Sequence, residues 1–353
     1  MSLSGSRGLA RISQNLKCRR QAAMVAIGGA EPRFYERLSG TPYRKEYGER
    51  QSAFKRGVKF EDNLFRHGGE RLKQALAPLC GKDSGDIYVR NLRDECPGER
   101  EQVRFARLSR TRRIISDAIS GKEFPDIVIQ PQLELPVPGA PRGRRLISPD
   151  CMVWIPEHQA YTPGDLKSFV VRENEVDPGD LRNVRLQVAS QILALRHEFG
   201  RHGVASNVTT KGFFVFATPF GLQNDTPRIE DLGGPIDAVQ KAIEKLGSVA
   251  AEIDEKTRPD GADPRVVLRE FEFNFQERCH STCVLASICK EEVAGRPHEL
   301  GDAAVAALGE GADLGRITAL MTGSARPADA QEAELARRLR PVLDAMLARG
   351  KAA

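Results

Sequence analysis

Residues 148–171 read Ser-Pro-Asp-Cys-Met-Val-Trp-Ile-Pro-Glu-His-Gln-Ala-Tyr-Thr-Pro-Gly-Asp-Leu-Lys-Ser-Phe-Val-Val. Cys151 to Ile155 is one apolar run; Leu166 to Val171, with Lys167 and Ser168 inside it, is another. The polar turn Pro156-Glu157-His158-Gln159 lies between them, and runs of this kind bounded by turn residues predict a β-hairpin. If Ile155 pairs with Ala160, Asp150 falls opposite Asp165, with Cβ atoms roughly 4.5–5.5 Å apart. Two carboxylates held that close repel, which is a poor structural choice but a sensible one around a divalent cation. Lys167 lies two residues past Asp165 and projects from the same face. A bulge at Pro163-Gly164 would shift the register by one residue, so a second register stays open.

Upstream, the spacing predicts a helix from Gly48 to about Leu76, with Phe54, Val58, Phe65 and Leu72 near one face and Phe60 and Leu64 widening it. Glu61 falls inside this stripe. A buried carboxylate without a partner is costly, so Glu61 should face a cation or a donor, Lys55 and Arg66 being near in sequence. Downstream, Asp177 to Phe199 predicts a strong helix through Leu181, Val184, Val188, Ile192, Leu195 and Phe199. Gln187 and Gln191 flank that stripe one turn apart. They could satisfy each other or the backbone, or face the acid cluster. Strands are expected at Asp126 to Leu135, Gly212 to Thr218 and Val266 to Phe275, and an amphipathic helix at Ile236 to Ile253.

The Pro149-Asp150 and Asp165-Leu166-Lys167 pieces resemble the PD-(D/E)xK nuclease superfamily, and within it the RecB-like branch. Gly57-Val58-Lys59-Phe60-Glu61 is similar to the helical first motif of that branch, and Gln187 to the Gln of its following helix, although Gln191 stands where a Tyr is usual. The resemblance covers roughly residues 50–220. It implies an α/β fold with a restriction-endonuclease-like αβββαβ core, a mixed sheet flanked by helices, and helical N- and C-terminal additions. It also implies that Glu61, Asp150 and Asp165, with the carbonyl of Leu166, hold Mg²⁺ or Mn²⁺. Lys167 and Gln187 would then act on the attacking water and the phosphate.

At 353 residues the chain can bury a sizeable core without disulfides. Its net charge of +5, carried largely by Arg, mildly favours an anionic partner. No apolar run approaches the ~20 residues of a membrane span, and Met1 to Lys17 lacks an apolar signal core. The cytoplasm is the expected location. Residues 1–17 read as a loosely ordered polar lead and 28–47 as a connection. Arg100, Arg104, Arg107 and Arg110 line one helical face, either a solvated face or a phosphate contact.

Cys279, Cys283 and Cys289 place three thiols within eleven residues, together with His280. In a reducing compartment that density favours a metal or cluster, and zinc and iron–sulfur sites both want four ligands. The fourth ligand must come from elsewhere in the chain or from His280, and Cys18 is the best candidate; Cys80 and Cys96 read as incidental, and Cys151 as a core residue. This arrangement resembles the iron–sulfur subgroup of RecB-like nucleases, which includes the AddB nuclease domain and CRISPR-adaptation exonucleases. The resemblance implies a [4Fe–4S] cluster, with zinc the alternative.

The expected divisions are an N-terminal segment at 1–47, a nuclease core at 48–275, a cysteine region at 276–295 and a helical appendage at 296–353. The function expected is metal-dependent hydrolysis of DNA, on a single strand or a duplex end, by an exonuclease of DNA repair or phage defence, with a helicase or defence complex as partner. The alternative is a nucleic-acid-binding module that does not cleave and carries a structural Cys–metal site.

Overall fold

A computed structural model describes residues 5–28, 31–43, 51–140, 143–170, 177–217, 227–257, 263–276, 278–300, 302–309 and 311–350. The chain divides into two units, one of Met1–Arg33 with Glu49–Phe271, the other of Phe34–Gly48 with Glu272–Ala353. In chain order the first elements are helices α1 (Ser6–Gln14), α2 (Arg19–Ile27), α3 (Glu31–Ser39) and α4 (Gln51–Cys80). Strand β1 (Val89–Asn91) follows, then α5 (Leu92–Glu95) and α6 (Glu101–Ile119). Five strands come next: β2 (Ile127–Ile129), β3 (Leu133–Pro136), β4 (Arg144–Ile147), β5 (Cys151–Ile155) and β6 (Ala160–Val170). The first unit ends with α7 (Pro178–Gly200), β7 (Lys211–Ala217), β8 (Arg228–Asp231) and α8 (Gly233–Thr257).

The first unit is α/β. Its six-stranded mixed sheet has the order β1-β2-β5-β6-β7-β8 and is flanked by helices. The β5–β6 hairpin forms in the register expected from sequence, with Ile155 opposite Ala160 and Cys151 opposite Gly164, and Pro163-Gly164 introduces no shift. Side chains near the turn secure that register. Trp154 and Tyr161 face each other across the strands with ring centroids 5.2 Å apart, and the Tyr161 hydroxyl donates to the Pro125 carbonyl at 2.7 Å. Such aromatic cross-strand pairs resist slippage. Gly164 is required by packing, because a Cβ there would lie 2.2 Å from the Phe213 ring on the parallel neighbour β7.

Several expectations are corrected. Asp126 to Leu135 is not one strand. Gln130 adopts a left-handed conformation (φ 50) and turns the chain, so β2 joins the large sheet while β3 pairs with β4 in a separate ribbon. Val266 to Phe275 is no strand either, since Val266–Glu270 is a 3₁₀ turn. Val267, Leu268, Phe271 and Phe275 are its buried residues, a spacing that is not alternating. The N-terminal lead is a packed helix rather than loose chain: Leu9, Ala10 and Ile12 of α1 are fully buried, and α1 packs on α7 and α8. Part of the expected connection at 28–47 is α3. Neither β1 nor β8 was expected.

Helix α4 departs from the single helix anticipated. It breaks at Arg66–Gly69, where Arg66 is extended and His67, Gly68 and Gly69 are left-handed. For a non-glycine residue such as His67 that conformation costs roughly 1–2 kcal/mol. The first half buries Phe60, Leu64 and Phe65 against the sheet, whereas Val58 is 37% exposed and lies off the buried face.

A charged network ties α6, α7 and β3 together. Glu198 of α7, whose side chain is 1% exposed, accepts two hydrogen bonds from Arg112 (2.8 and 3.0 Å) and one from the Glu134 amide (3.1 Å). Glu134 in turn pairs with Arg144 at 2.7 Å.

The second unit carries α9 (Cys279–Thr282), α10 (Ala286–Glu292), α11 (Asp302–Leu308), α12 (Leu314–Thr322) and α13 (Ala330–Gly350). Arg316 of α12 holds Glu332 of α13 through two hydrogen bonds of 3.0 and 2.6 Å. No helix among the described residues is long and apolar enough to cross a membrane.

Candidate functional site

Asp150 ends the loop that leads into β5, and Asp165 and Lys167 lie on β6 beyond the last hairpin pair. The Leu166 amide donates to Asp150 Oδ2 at 2.8 Å, which fixes that carboxylate beside β6. The Lys167 ammonium lies 2.6 Å from Asp165 Oδ2 and 3.9 Å from Asp150 Oδ2. The alternation of the strand thus gathers two acids and one ammonium at one spot, as the hairpin register requires. Asp165 is 3% exposed, and among the described residues its Oδ2 accepts no hydrogen bond of good geometry apart from this ion pair.

Glu61 approaches from the first half of α4, near enough to feel the charges of Lys167 and Asp165. Its helix comes close to β6 at Gly57, where a Cβ would lie 3.8 Å from Ser168 Oγ. The cations that bear on Glu61 are therefore Lys167 of β6 and Arg93 of α5, and not the adjacent Lys55 or Arg66.

The electrostatics of the group are those of crowded acids. Burial, then the Asp165 carboxylate, raises the Asp150 pKa well above the usual carboxylate range, against the opposing pull of Lys167. Burial also raises Glu61, countered in part by Lys167. Burial alone would lower Lys167, but the attraction of Asp165 and Asp150 outweighs it and the pKa is raised, so the ammonium is retained.

The fit of a divalent cation to these residues rests on the donor set. Asp150 and Asp165 share one ammonium, Glu61 lies near enough to feel the charge of Asp165, and hard cations take such oxygen ligands. Among the described residues, however, no three His, Cys, Asp or Glu side chains are already grouped at ligand spacing. The ammonium stands between the acids instead.

Gln187 is buried on α7, which packs against β6. Among the described residues no hydrogen bond joins its side chain to the acid cluster, and its carbonyl accepts from Ser190 Oγ at 2.7 Å. Among the described residues it does not satisfy Gln191 Oε1 either, which is buried there without a hydrogen-bond donor.

Of the basic face, Arg104, Arg107 and Arg110 are spent on structure, while Arg100 stands exposed just before α6. Arg107, 2% exposed, donates to the carbonyls of Cys96 and Gly98. Arg104 donates to the Leu146 carbonyl, Arg110 pairs with Glu95, and Arg112 serves Glu198. Two arginines that sequence reasoning passed over lie by the cluster instead. Arg7, exposed at the start of α1, is close enough for its charge to oppose that of Lys167. Arg93 of α5 bears on Glu61 and pairs with Asp62 at 3.7 Å. For Arg7 the available signal was the spacing of Leu9 and Ile12, which marks α1 as a packed helix.

Cys18 caps α2, its sulfur accepting from the Gln21 amide at 3.4 Å in the first unit. In the second, Cys279 begins α9, Cys283 follows it and Cys289 lies on α10; Cys283 and Cys289 are buried. Cys151 and Cys80 belong to the apolar core, and burial pushes the Cys80 thiol up to about 12.

No family model matches this chain, and no curated protein matches it.

Proposed function

We propose that the chain is a metal-dependent nuclease that hydrolyses DNA phosphodiester bonds at the Glu61, Asp150, Asp165 and Lys167 cluster. The observation that carries the reading is the hairpin register. It brings a buried carboxylate, a half-buried one and an ammonium together at a cost in repulsion that a purely structural site has no reason to bear. With β1, α5, α6 and the β3–β4 ribbon taken as insertions, α4, β2, β5, β6, α7 and β7 run helix, three strands, helix, strand, an order that agrees with a restriction-endonuclease-like core.

Glu61, Asp150 and Asp165, with the Leu166 carbonyl, would hold Mg²⁺ or Mn²⁺. Such an ion lowers the pKa of a water and neutralises phosphoryl charge. Lys167 is kept cationic by its two carboxylates, so it can stabilise negative charge growing on the phosphate. Asp150 holds β6 through the Leu166 amide and so fixes the position of Lys167 relative to both acids.

The test is incubation of end-labelled single- and double-stranded DNA with the protein, with and without Mn²⁺. Lys167→Ala is expected to lower turnover about 10²–10³-fold. Its Mn²⁺ affinity should be kept or tightened, because the ammonium is no ligand and competes for the same carboxylates. Calorimetry showing lost Mn²⁺ affinity would make Lys167 a structural residue.

The four cysteines are proposed on the resemblance, and their soft thiolates suit iron–sulfur or zinc. Protein purified without oxygen should be brown with iron and sulfide bound, and Cys18→Ala should bleach it. Colourless protein with stoichiometric zinc replaces the cluster; protein with neither metal sinks the cysteine assignment.

A further inference from the structure

The break in α4 opens a cleft of about 400 Å³, inside the roughly 300–1,000 Å³ range of small-molecule sites. Asp62, Arg66, His67, Asn91, Arg93 and Asp94 line it. The left-handed run His67–Gly69 makes the opening, and Gly69 seats it on the sheet, where a Cβ would touch Ile129 and Val89 at 3.5 and 3.6 Å.

The acids of this cleft are already engaged. Asp94 accepts from Asn91 Nδ2 at 2.8 Å, and Asp62 pairs with Arg93. Arg66 and His67 are exposed, and among the described residues neither has an ion-pair partner. One wall therefore offers a guanidinium and an imidazole to an anion. The cleft also adjoins the proposed cleavage site: Asp62 follows Glu61 in sequence, and Arg93 bears on both.

A guanidinium fork beside an imidazole suits the oxygens of a phosphodiester. We infer that this cleft is a subsite for the nucleic-acid backbone, in which Arg66 and His67 hold a phosphate flanking the scissile one. The inference rests on the nuclease reading and adds to it where the strand lies.

The test pairs wild type with the Arg66→Gln, His67→Asn double variant, Asn being tolerant of the left-handed conformation. Neither residue belongs to the acid cluster. Affinity for a short single-stranded oligonucleotide is measured by fluorescence anisotropy in Ca²⁺ over a salt series, and cleavage is measured in Mn²⁺. The variant should bind about 10-fold more weakly, with a slope of log affinity against log salt flatter by about 0.7 for each phosphate it no longer neutralises. Its KM should rise while kcat stays unchanged.

Oligonucleotides with and without a 5′-phosphate locate the phosphate. An equal weakening on both places an internal phosphodiester in the cleft, and a weakening confined to the phosphorylated one places a strand end there. Equal affinity and salt slope in variant and wild type overturn the subsite, as does failure of the wild type to bind any oligonucleotide. Binding that depends on Arg66 and His67 without cleavage keeps the subsite and sinks the hydrolytic reading instead.

Discussion

Replacing Asp150 by Asn is expected to remove Mn²⁺-dependent cleavage by on the order of 10³-fold, with a fold at least as stable as wild type. The loss is the share of charge stabilisation carried by one metal-holding carboxylate, several kcal/mol at ~1.4 kcal/mol per tenfold. The retained stability follows from geometry. The Asn oxygen can still accept from the Leu166 amide, while the repulsion from Asp165 disappears. The pH dependence carries a sign. The Asp150 pKa is raised on folding, so its contribution is fully present below the ordinary carboxylate pKa and is lost as pH rises through the raised value. In EDTA the variant should therefore gain on wild type from about pH 4 upward. Thermal unfolding across that range checks it. A wild type that outlasts the variant at neutral pH would mean that the pairing with Lys167 outweighs burial and repulsion.

Arg112→Ala is expected to cost about 3–5 kcal/mol, the usual penalty for leaving a buried charge without its partner. Glu198, 1% exposed on its side chain, would lose both guanidinium hydrogen bonds and keep the Glu134 amide, with Arg201 no closer than 3.8 Å. In urea the midpoint should fall with the slope unchanged. Replacing Arg112 and Glu198 together by Met should recover most of the loss, because the cost lies in the orphaned charge and not in the absent ion pair. A single variant that unfolds like wild type would show that Arg201 or water takes over the Arg112 position.

The features legible in the amino-acid order are those set by short-range periodicity. Alternation and turn chemistry placed β5 and β6, and the loop length between them set the pairing that puts Asp150, Asp165 and Lys167 on one face. Helical spacing placed α7, whose Val184, Val188, Ile192, Leu195 and Phe199 are all fully buried. Whatever depends on partners distant in the chain was left to the folded molecule. Nothing near Glu61 in sequence says that its cation comes from β6. The arginines of α6 read as either a solvated face or a phosphate contact, but their carbonyl and carboxylate partners lie on other elements, and a buried guanidinium must satisfy its donors there. The α4 break was masked by apolar residues that keep a helical rhythm on both sides of Arg66–Gly69. A residue such as His67 enters the left-handed region only when the surrounding structure outweighs the local cost, and two residues on, Gly69 seats the chain against Ile129 and Val89 of the sheet.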